Sequence, residues 1–354
     1  MKTFTLLTLF FLFNLHAEDT NSTQENNATQ QEHYIDTFHK RASEHVKRLS
    51  GFADETLVDM ADYLENKEVN LTEDAYQGVS QDNKDAVDSF FLNDKYLDST
   101  DKSYVSIRPE ARFQSKDDDD FNLKVSAHLD LSKSQKRFKL FVNELNQDNA
   151  DDLATEDEEK STPEIGMNYF APDFRRIKSK YSIGIRGIYP FVRARYSAEY
   201  HPGSWIIEPI QTFKYSVKDD FEEQTQVFFD TKLTKLSLLR FYLSRGTESR
   251  VSGMAYDGSM GIYYSPTKGT GLSITQYFNA STKYQHTENE NAIPVIYEDY
   301  NGIFNYGTEF TIRQNFWRDW LFYELRPGVN FHKRYDYEAN YTIRMFLDIF
   351  VGNL

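Results

Sequence analysis

From Tyr104 to the C-terminus, apolar and polar residues alternate one by one. The run "PFVRARYSAEY" (190–200) sets Val192, Ala194 and Tyr196 against Arg193 and Arg195. The runs "FNLKVSAHLDL" (121–131), "WLFYELRPGVNF" (320–331) and "YTIRMFLDIFVGNL" (341–354) repeat the pattern. A period of two is typical of β-strands with one apolar and one polar face. Runs of about ten residues match a tilted strand that crosses a bilayer.

The segments between these runs fall into two alternating sets. One set is short and neutral to basic: "SKSQ", "APDFRRIKSK", "HPGS", "TKLTK", "SPTKG" and "WRD". The other is longer and mostly acidic, from "SKDDDD" through "NQDNADDLATEDEEKST" and "KDDFEEQ" to "HKRYDYE", with one very short exception near Tyr189–Pro190. Short turns at one end and long loops at the other are the sidedness of an outer-membrane barrel. We therefore predict a mainly β fold, a transmembrane antiparallel β-barrel of about 14 strands, with 12 or 16 as alternatives, over residues 103–354.

Before the strands the apolar period is helical. Residues 33–66 have apolar positions at steps of three and four, with a break predicted at "LSGF" (49–52), and a second short helix is predicted over 81–92. We interpret residues 33–95 as a helical periplasmic segment that packs on the barrel, self-associates, forms a periplasmic plug or holds a periplasmic protein partner. The polar stretch 18–32 is predicted to be disordered.

The N-terminus has the pattern of a secretory signal peptide. Lys2 supplies the positive charge, "TFTLLTLFFLF" the apolar region, and "LHA" a cleavage site ending at Ala17. The apolar run is shorter than the roughly 20 residues that a spanning helix needs. We therefore predict export and location in the outer membrane of a Gram-negative bacterium.

Composition narrows the choice of partners. The formal net charge of −15 argues against a nucleic-acid partner, because a phosphate backbone attracts basic surfaces, and the absence of Cys excludes disulfides and thiol chemistry. We expect membrane lipid as the main partner, and no cofactor and no metal. The acidic runs "KDDDD" and "EDEE" lack the spaced ligands of a calcium loop and are interpreted as solvated loops.

The polar face of the strands mixes arginines with carboxylates, as the wet interior of a barrel allows. The predicted lumen-lining residues are Arg108, Arg112, Arg186, Arg193, Arg195, Arg240, Arg313, Arg326, Arg344, Glu199, Glu324 and Asp348. Trp205, Trp317 and Trp320 lie near turns and are predicted to form an aromatic girdle at the membrane interface. A soluble periplasmic β-sandwich would also alternate, but it has no reason to segregate its loops.

Five N-x-[ST] sequons occur, and four have an acidic residue two positions earlier. This pattern resembles the extended acceptor of bacterial N-glycosylation systems. Asn21, Asn27 and Asn70 are the candidate sites, whereas Asn340 opens a strand and is a poorer one.

Ser126, His128 and Asp130 combine the residue types of an acyl-transfer triad. Residues two apart on one strand lie about 7 Å apart with parallel side chains. We therefore predict an ordinary lumen network here, no catalytic residues and no enzyme.

The blocks "PFVRARYSAEY", "SWIIEPIQTFKYSVKDDF" and "RQNFWRDWLFYELRPGV", with "VDSFF" before the first strand, resemble a group of uncharacterised proteobacterial outer-membrane β-barrel proteins. The resemblance covers about residues 85–352, and "RDWLFYE" is its most specific part. It implies a fold and a location but no settled activity. The chain departs from the common outer-membrane ending, since "VGNL" follows Phe350.

Three functions follow as hypotheses: a small-solute channel favouring anions, a structural barrel that holds a periplasmic partner, and, least supported, an outer-membrane hydrolase. The last strand offers a test of the fold. A charge at Leu347 is expected to cost roughly 2–4 kcal/mol near mid-bilayer. Asp348→Asn is expected to cost far less, because Asp348 is predicted to face the lumen. Similar costs at both positions would favour a soluble core.

Overall fold

The computed structural model describes residues 35–51, 103–130, 138–142, 163–250, 253–267, 269–289 and 296–352. The chain divides into two compact units, residues 1–45 and 46–354. The described part contains one long helix, α1 (residues 35–51), and a turn of 3₁₀ helix at Lys333–Tyr335. Its strands are β1 (Tyr104–Gln114), β2 (Asp120–Asp130), β3 (Phe138–Val142), β4 (Glu164–Phe174), β5 (Ile177–Arg186), β6 (Tyr189–Ala198), β7 (Trp205–Ser216), β8 (Asp220–Thr234), β9 (Ser237–Glu248), β10 (Ala255–Thr267), β11 (Thr270–Asn289), β12 (Ile296–Phe316), β13 (Arg318–His332) and β14 (Ala339–Gly352).

The strands form one closed barrel. Each pairs antiparallel with the next along the chain, and β14 pairs with β1 from Tyr104↔Gly352 to Gln114↔Thr342. The fourteen strands confirm the predicted barrel and number. The alternative of a soluble sandwich is wrong as a fold, because a sandwich consists of two open sheets with edges.

The predicted alternation separates the two faces of the wall. On β14, Arg344, Phe346, Asp348 and Phe350 are buried, whereas Tyr341 is 67% exposed. Apolar side chains are likewise exposed on the same face of other strands, among them Ile183, Val192, Leu243, Met260 and Ile274. Since a closed barrel can bury charged side chains only on its inside, the exposed apolar face is the outer one.

The connections leave by alternate ends. Among the fully described connections, residues 175–176, 199–204, 235–236 and 317 lie at one end, and residues 115–119, 187–188, 217–219 and 333–338 lie at the other. The predicted connections were too long. Most of "APDFRRIKSK" lies in β4 and β5, and most of "KDDFEEQ" in β8, because strand pairing continues through charged residues. Strands β11 and β12 reach 20 and 21 residues.

Helix α1 confirms a helix in the N-terminal segment. It runs through Leu49 and Ser50 to residue 51, inside the predicted break. Residues 52–66, the second predicted helix and the segments 1–17 and 18–32 lie outside the described residues, so those assignments stay predictions. Within the described residues, no helix combines the length and apolar content that a membrane crossing requires.

Two glycines allow close packing inside the barrel. Gly166 and Gly184 are register partners on β4 and β5. A Cβ on Gly166 would lie 2.7 Å from the Phe141 ring, and one on Gly184 would lie 2.9 Å from the Phe191 ring. Both rings are almost fully buried against the wall, so the sites require glycine.

Candidate functional site

The inner wall is the candidate functional site, because it gathers the charged side chains of the strands. Seven of the twelve residues predicted to line it are buried: Arg108, Arg240, Arg313, Arg326, Arg344, Glu324 and Asp348. Arg112, Arg186, Arg193 and Arg195 are partly exposed and have the inward parity of their strands. Glu199 directly follows β6, and its Oε1 lies 2.9 Å from His201 Nε2.

Ion pairs join the first strand to the last three. Arg108 Nε lies 2.8 Å from Asp348 Oδ1, and its Nη2 lies 3.4 Å from Glu324 Oε2. Arg313 Nη1 donates to Glu324 Oε2 at 2.8 Å and also to Asp348 Oδ2. Each of these side chains is at most 4% exposed. Asp348 is therefore a buried partner of two arginines. This burial raises the expected cost of Asp348→Asn, which the sequence predicts to be far less than that of a charge at Leu347.

The network continues along β13 and β14. Arg326 Nε donates to Glu324 Oε1, and Arg344 Nη2 donates to Glu309 Oε2 at 2.6 Å. The Phe346 ring lies beneath three guanidinium groups, with Arg108, Arg326 and Arg344 at 4.5, 4.8 and 5.7 Å from its centroid. Cation–π contacts help to hold such groups in place. We call Arg108, Glu309, Arg313, Glu324, Arg326, Arg344 and Asp348 the seam cluster, because β1 and β14 meet there.

A second charged group lies on β4 to β8. Glu164 Oε2 accepts from Arg193 Nη2 at 2.6 Å, and its Oε1 lies 3.4 Å from Lys214 Nζ. Lys214 Nζ is also 3.3 Å from Glu222 Oε1. Arg195 and Lys180 face each other across the next inward row of β5 and β6. Basic side chains thus occupy adjacent strands of this wall.

Amide side chains form a chain of hydrogen bonds that the sequence did not reveal. Asn279 donates to Asp257 at 2.8 Å, Asn305 to Asn279 at 3.1 Å, Asn330 to Asn305 at 3.0 Å and Asn340 to Asn330 at 3.1 Å. The Asn340 carbonyl oxygen accepts from Ser115 Oγ at 3.2 Å. We call the four asparagines the asparagine row. Only the register between strands brings these distant residues together, although each has the inward parity of its strand.

Two tryptophans lie on the outer surface or at a turn, and one does not. Trp205 lines an apolar outer hollow of about 580 Å³ with Phe229, Phe241 and others. Trp317 is half-exposed in the β12–β13 turn. Trp320 instead packs against Tyr104 and Phe350 on the inner face, so its assignment to a girdle is wrong. Trp320 has the same parity on β13 as the inward residues Glu324 and Arg326. This parity is the sequence signal that would have predicted its inner position.

The Ser126–His128 pair points inward, as alternation requires, and both side chains are buried. The His128 ring stacks on Tyr104, with centroids 5.7 Å apart. The Asp130 side chain and the candidate sequons Asn21, Asn27 and Asn70 lie outside the described residues. Asn340 is 1% exposed and belongs to the asparagine row.

The connections 115–119 and 333–338 are tied together. Asp117 Oδ2 accepts from Arg334 Nη2 at 2.5 Å and from the Tyr335 hydroxyl at 3.1 Å. Lys116 donates to Glu338, and this hydrogen bond lowers the pKa of the exposed Glu338 carboxyl below its usual value. Part of the acidic run "KDDDD" therefore bridges two loops.

No protein-family model and no curated protein sequence matches the chain. Among solved structures it is similar to outer-membrane-expressed OmpT of Vibrio cholerae, with 10% identity over 70% of this chain and 96% of that one and a TM-score of 0.40. It is also similar to OccK11 (OpdR) of Pseudomonas aeruginosa, with 8% identity over 72% and 96% and a TM-score of 0.40. A third is the KdgM porin in complex with disordered oligogalacturonate, with 7% identity over 69% and 98% and a TM-score of 0.32.

The class of protein follows from the chain's own geometry: a closed antiparallel barrel with an apolar outside and a charged inside. An apolar outer face around a polar interior is the general design of transmembrane β-barrels.

Proposed function

We propose that the protein is an outer-membrane barrel that conducts small solutes and favours anions. Its exposed apolar outer face supports residence in a bilayer, since water would oppose so much exposed apolar area. The signal-like N-terminus, with cleavage near Ala17, supports export to the outer membrane of a Gram-negative bacterium. By this proposal the end of the barrel holding residues 175–176, 235–236 and 317 faces the periplasm.

The observation behind the preference for anions is the excess of basic groups on the inner wall. In the described part of β12, β13, β14 and β1, inward arginines at 108, 112, 313, 326 and 344 face three carboxylates of the seam cluster. The remaining pair, Lys124 and Glu110 at 3.4 Å, is balanced. Around Glu164, Arg193 and Lys214 face two carboxylates, Glu164 and Glu222, and the facing pair Lys180 and Arg195 adds two further basic side chains in the next inward row. An inner wall with an excess of positive charge raises the local concentration of anions.

The test is the reversal potential of purified, folded protein in a planar bilayer under a salt gradient. Arg193→Gln with Arg195→Gln is expected to lower the anion-to-cation permeability ratio several-fold, because two positive charges leave the wall. Glu164→Gln is expected to raise that ratio. Arg193→Lys with Arg195→Lys keeps the charge and serves as the control. Silence of folded protein in the bilayer, or a ratio that ignores the charge changes, would contradict the proposal.

A second candidate is a structural barrel whose N-terminal segment, residues 33–95, holds a periplasmic partner. The close burial of the seam cluster favours it, because buried ion pairs such as Arg108–Glu324 and Arg313–Asp348 fill that part of the inner wall with packed side chains. Helix α1 would supply the partner surface. Deleting residues 33–66 is then expected to leave the barrel folded but to abolish co-purification of a periplasmic protein. If the deletion changes nothing in the co-purified set, this candidate fails.

A further inference from the structure

Three arginines lie side by side across adjacent strands of the inner wall. Arg112 on β1 is the register partner of Arg344 on β14, and Arg344 is the register partner of Arg326 on β13. Directly opposed residues of antiparallel strands have Cβ atoms about 5 Å apart, and like charges in such positions destabilise a sheet. Folding alone gives no reason for this row, which we call the arginine row.

The carboxylates nearby neutralise only part of the arginine row. Arg344 pairs with Glu309 at 2.6 Å, and Arg326 pairs with Glu324 and reaches Glu309 at 3.8 Å. Among the described residues, Arg112 makes no ion pair, and its buried Nε has no hydrogen-bond partner. The end of the arginine row next to β1 is therefore positively charged without a counterion in the described chain.

Arg313 supplies a second, independent sign of a ligand. Its side chain is 1% exposed, and Nη1 satisfies both Glu324 and Asp348. Its Nε and Nη2 are buried and have no partner in the described part of the chain. Arg313 is the register partner of Glu324, two residues before Arg326 on the same face, so it lies diagonally beside the arginine row. Leaving buried charged donors unsatisfied is costly unless something accepts from them.

We infer that the arginine row, with Arg313, is a binding site for a polyvalent oxyanion such as a phosphate or a carboxylate-bearing solute. Guanidinium groups present paired N–H donors that match two oxygens of such an anion, which a chloride ion cannot match. The Phe346 ring holds two of the row's guanidinium groups in orientation. As a solute site on the conduction path this inference rests on the proposed channel, but binding itself can be measured without conduction.

The first experiment measures stability, not transport. Folded full-length protein in detergent is heated in sodium phosphate or sodium chloride at equal ionic strength, and the midpoint of conversion to the heat-unfolded form is read on gels. Phosphate is expected to raise the midpoint above its value in chloride. Equal midpoints in the two salts for the unaltered protein would overturn the inference, whatever any variant does.

Variants then assign the site. Arg112→Gln is expected to weaken phosphate binding at least tenfold by calorimetric titration, and Arg112→Lys to weaken it less, because the charge stays but the fork of donors is lost. Arg250→Gln, an exposed arginine paired with Asp220 in a loop, is the matched control and should bind as the unaltered protein does. An Arg112→Gln protein that binds phosphate normally would overturn the inference.

The two proposals fail in different ways. Phosphate binding by protein that conducts no current would support the oxyanion site and contradict the proposed channel. Conduction without a phosphate-specific effect leaves the channel and removes the site. If both hold, phosphate is expected to reduce chloride conductance in the unaltered protein, and Arg112→Gln to abolish that block.

Discussion

Neighbouring residues of the last strand have opposite surroundings. Leu347 belongs to the outer parity with Ile343 and Ile349, whereas Asp348 is 3% exposed on the inner face between Arg108 and Arg313. Substitutions at the two positions therefore probe different surroundings, the outer face at Leu347 and the buried inner face at Asp348. By the proposed membrane location a charge at Leu347 meets lipid. The loss of charge at Asp348 leaves two buried guanidinium groups with less compensation.

Leu347→Arg is expected to lower the free energy of unfolding by roughly 2–4 kcal/mol if the residue lies near mid-bilayer. Asp348→Asn is expected to cost about 3 kcal/mol, because it breaks a buried ion pair on one side only. Denaturant titration in phospholipid vesicles measures both. Since the two costs are similar, their size does not separate lipid from protein core.

A double-mutant cycle distinguishes a residue on the inner face of β14 from one on the outer face. Residues in contact show interaction energies of roughly 0.5–3 kcal/mol in a double-mutant cycle. Asp348→Asn is expected to couple to Arg108→Gln, whereas Leu347→Arg is expected to be additive with it. Additivity of the Asp348 and Arg108 changes would contradict the seam cluster as described.

Strands β11 to β14 owe part of their alignment to the asparagine row. Asn330 both donates to Asn305 and accepts from Asn340, so it is the middle link. Its side chain has a carbonyl and an amide on opposite branches, which lets one residue serve both neighbours. A pattern of this kind favours one register, since a slip of a single residue would turn each amide to the outer face.

Asn330→Ala is expected to lower the free energy of unfolding by about 1–3 kcal/mol, because an acceptor on Asn305 and a donor on Asn340 lose their partner while buried. Asn330→Asp keeps the acceptor for Asn340 and is expected to cost less. Asn301→Ala is the control, because Asn301 is exposed. Equal losses for Asn330→Ala and Asn301→Ala in denaturant titrations would show that the row adds nothing.

The sequence predicted which face of a strand each residue lies on far better than it predicted which residues come into contact across strands. Alternation assigns Arg193 or Asp348 to a face because an apolar outside and a polar inside impose a period of two on each strand separately. The partners of those residues depend on register, which pairs Arg108 with a residue more than two hundred positions away. The asparagine row and the arginine row are thus invisible along the chain. Trp320 shows the converse: its position on β13 has the inner parity of Glu324 and Arg326, whereas its nearness to a turn favoured a girdle position, which the structure contradicts.

Closure of all fourteen strands makes a prediction for the whole protein. A closed barrel has no edge from which unfolding can start, so folded protein is expected to resist sodium dodecyl sulfate at room temperature and to migrate differently after boiling. Gel mobility with and without boiling, on washed outer membranes, checks this. Protein found in the soluble periplasmic fraction, without a mobility shift, would contradict both the membrane location and the channel.

The contact between β1 and β14 also bears on how the chain folds. All other strand pairs join neighbours in sequence, but β1 pairs with β14, and Gln114 and Asn340, which bond across that pair, are 226 residues apart. The entropy lost on closing a flexible loop of that length is about 5 kcal/mol, unless earlier hairpins have already shortened it. Zipping from hairpin to hairpin brings the two ends together step by step, so the final pairing meets a much smaller barrier. The ion pairs between the first and last strands would then form late in folding, and they would slow the reopening of the closed barrel.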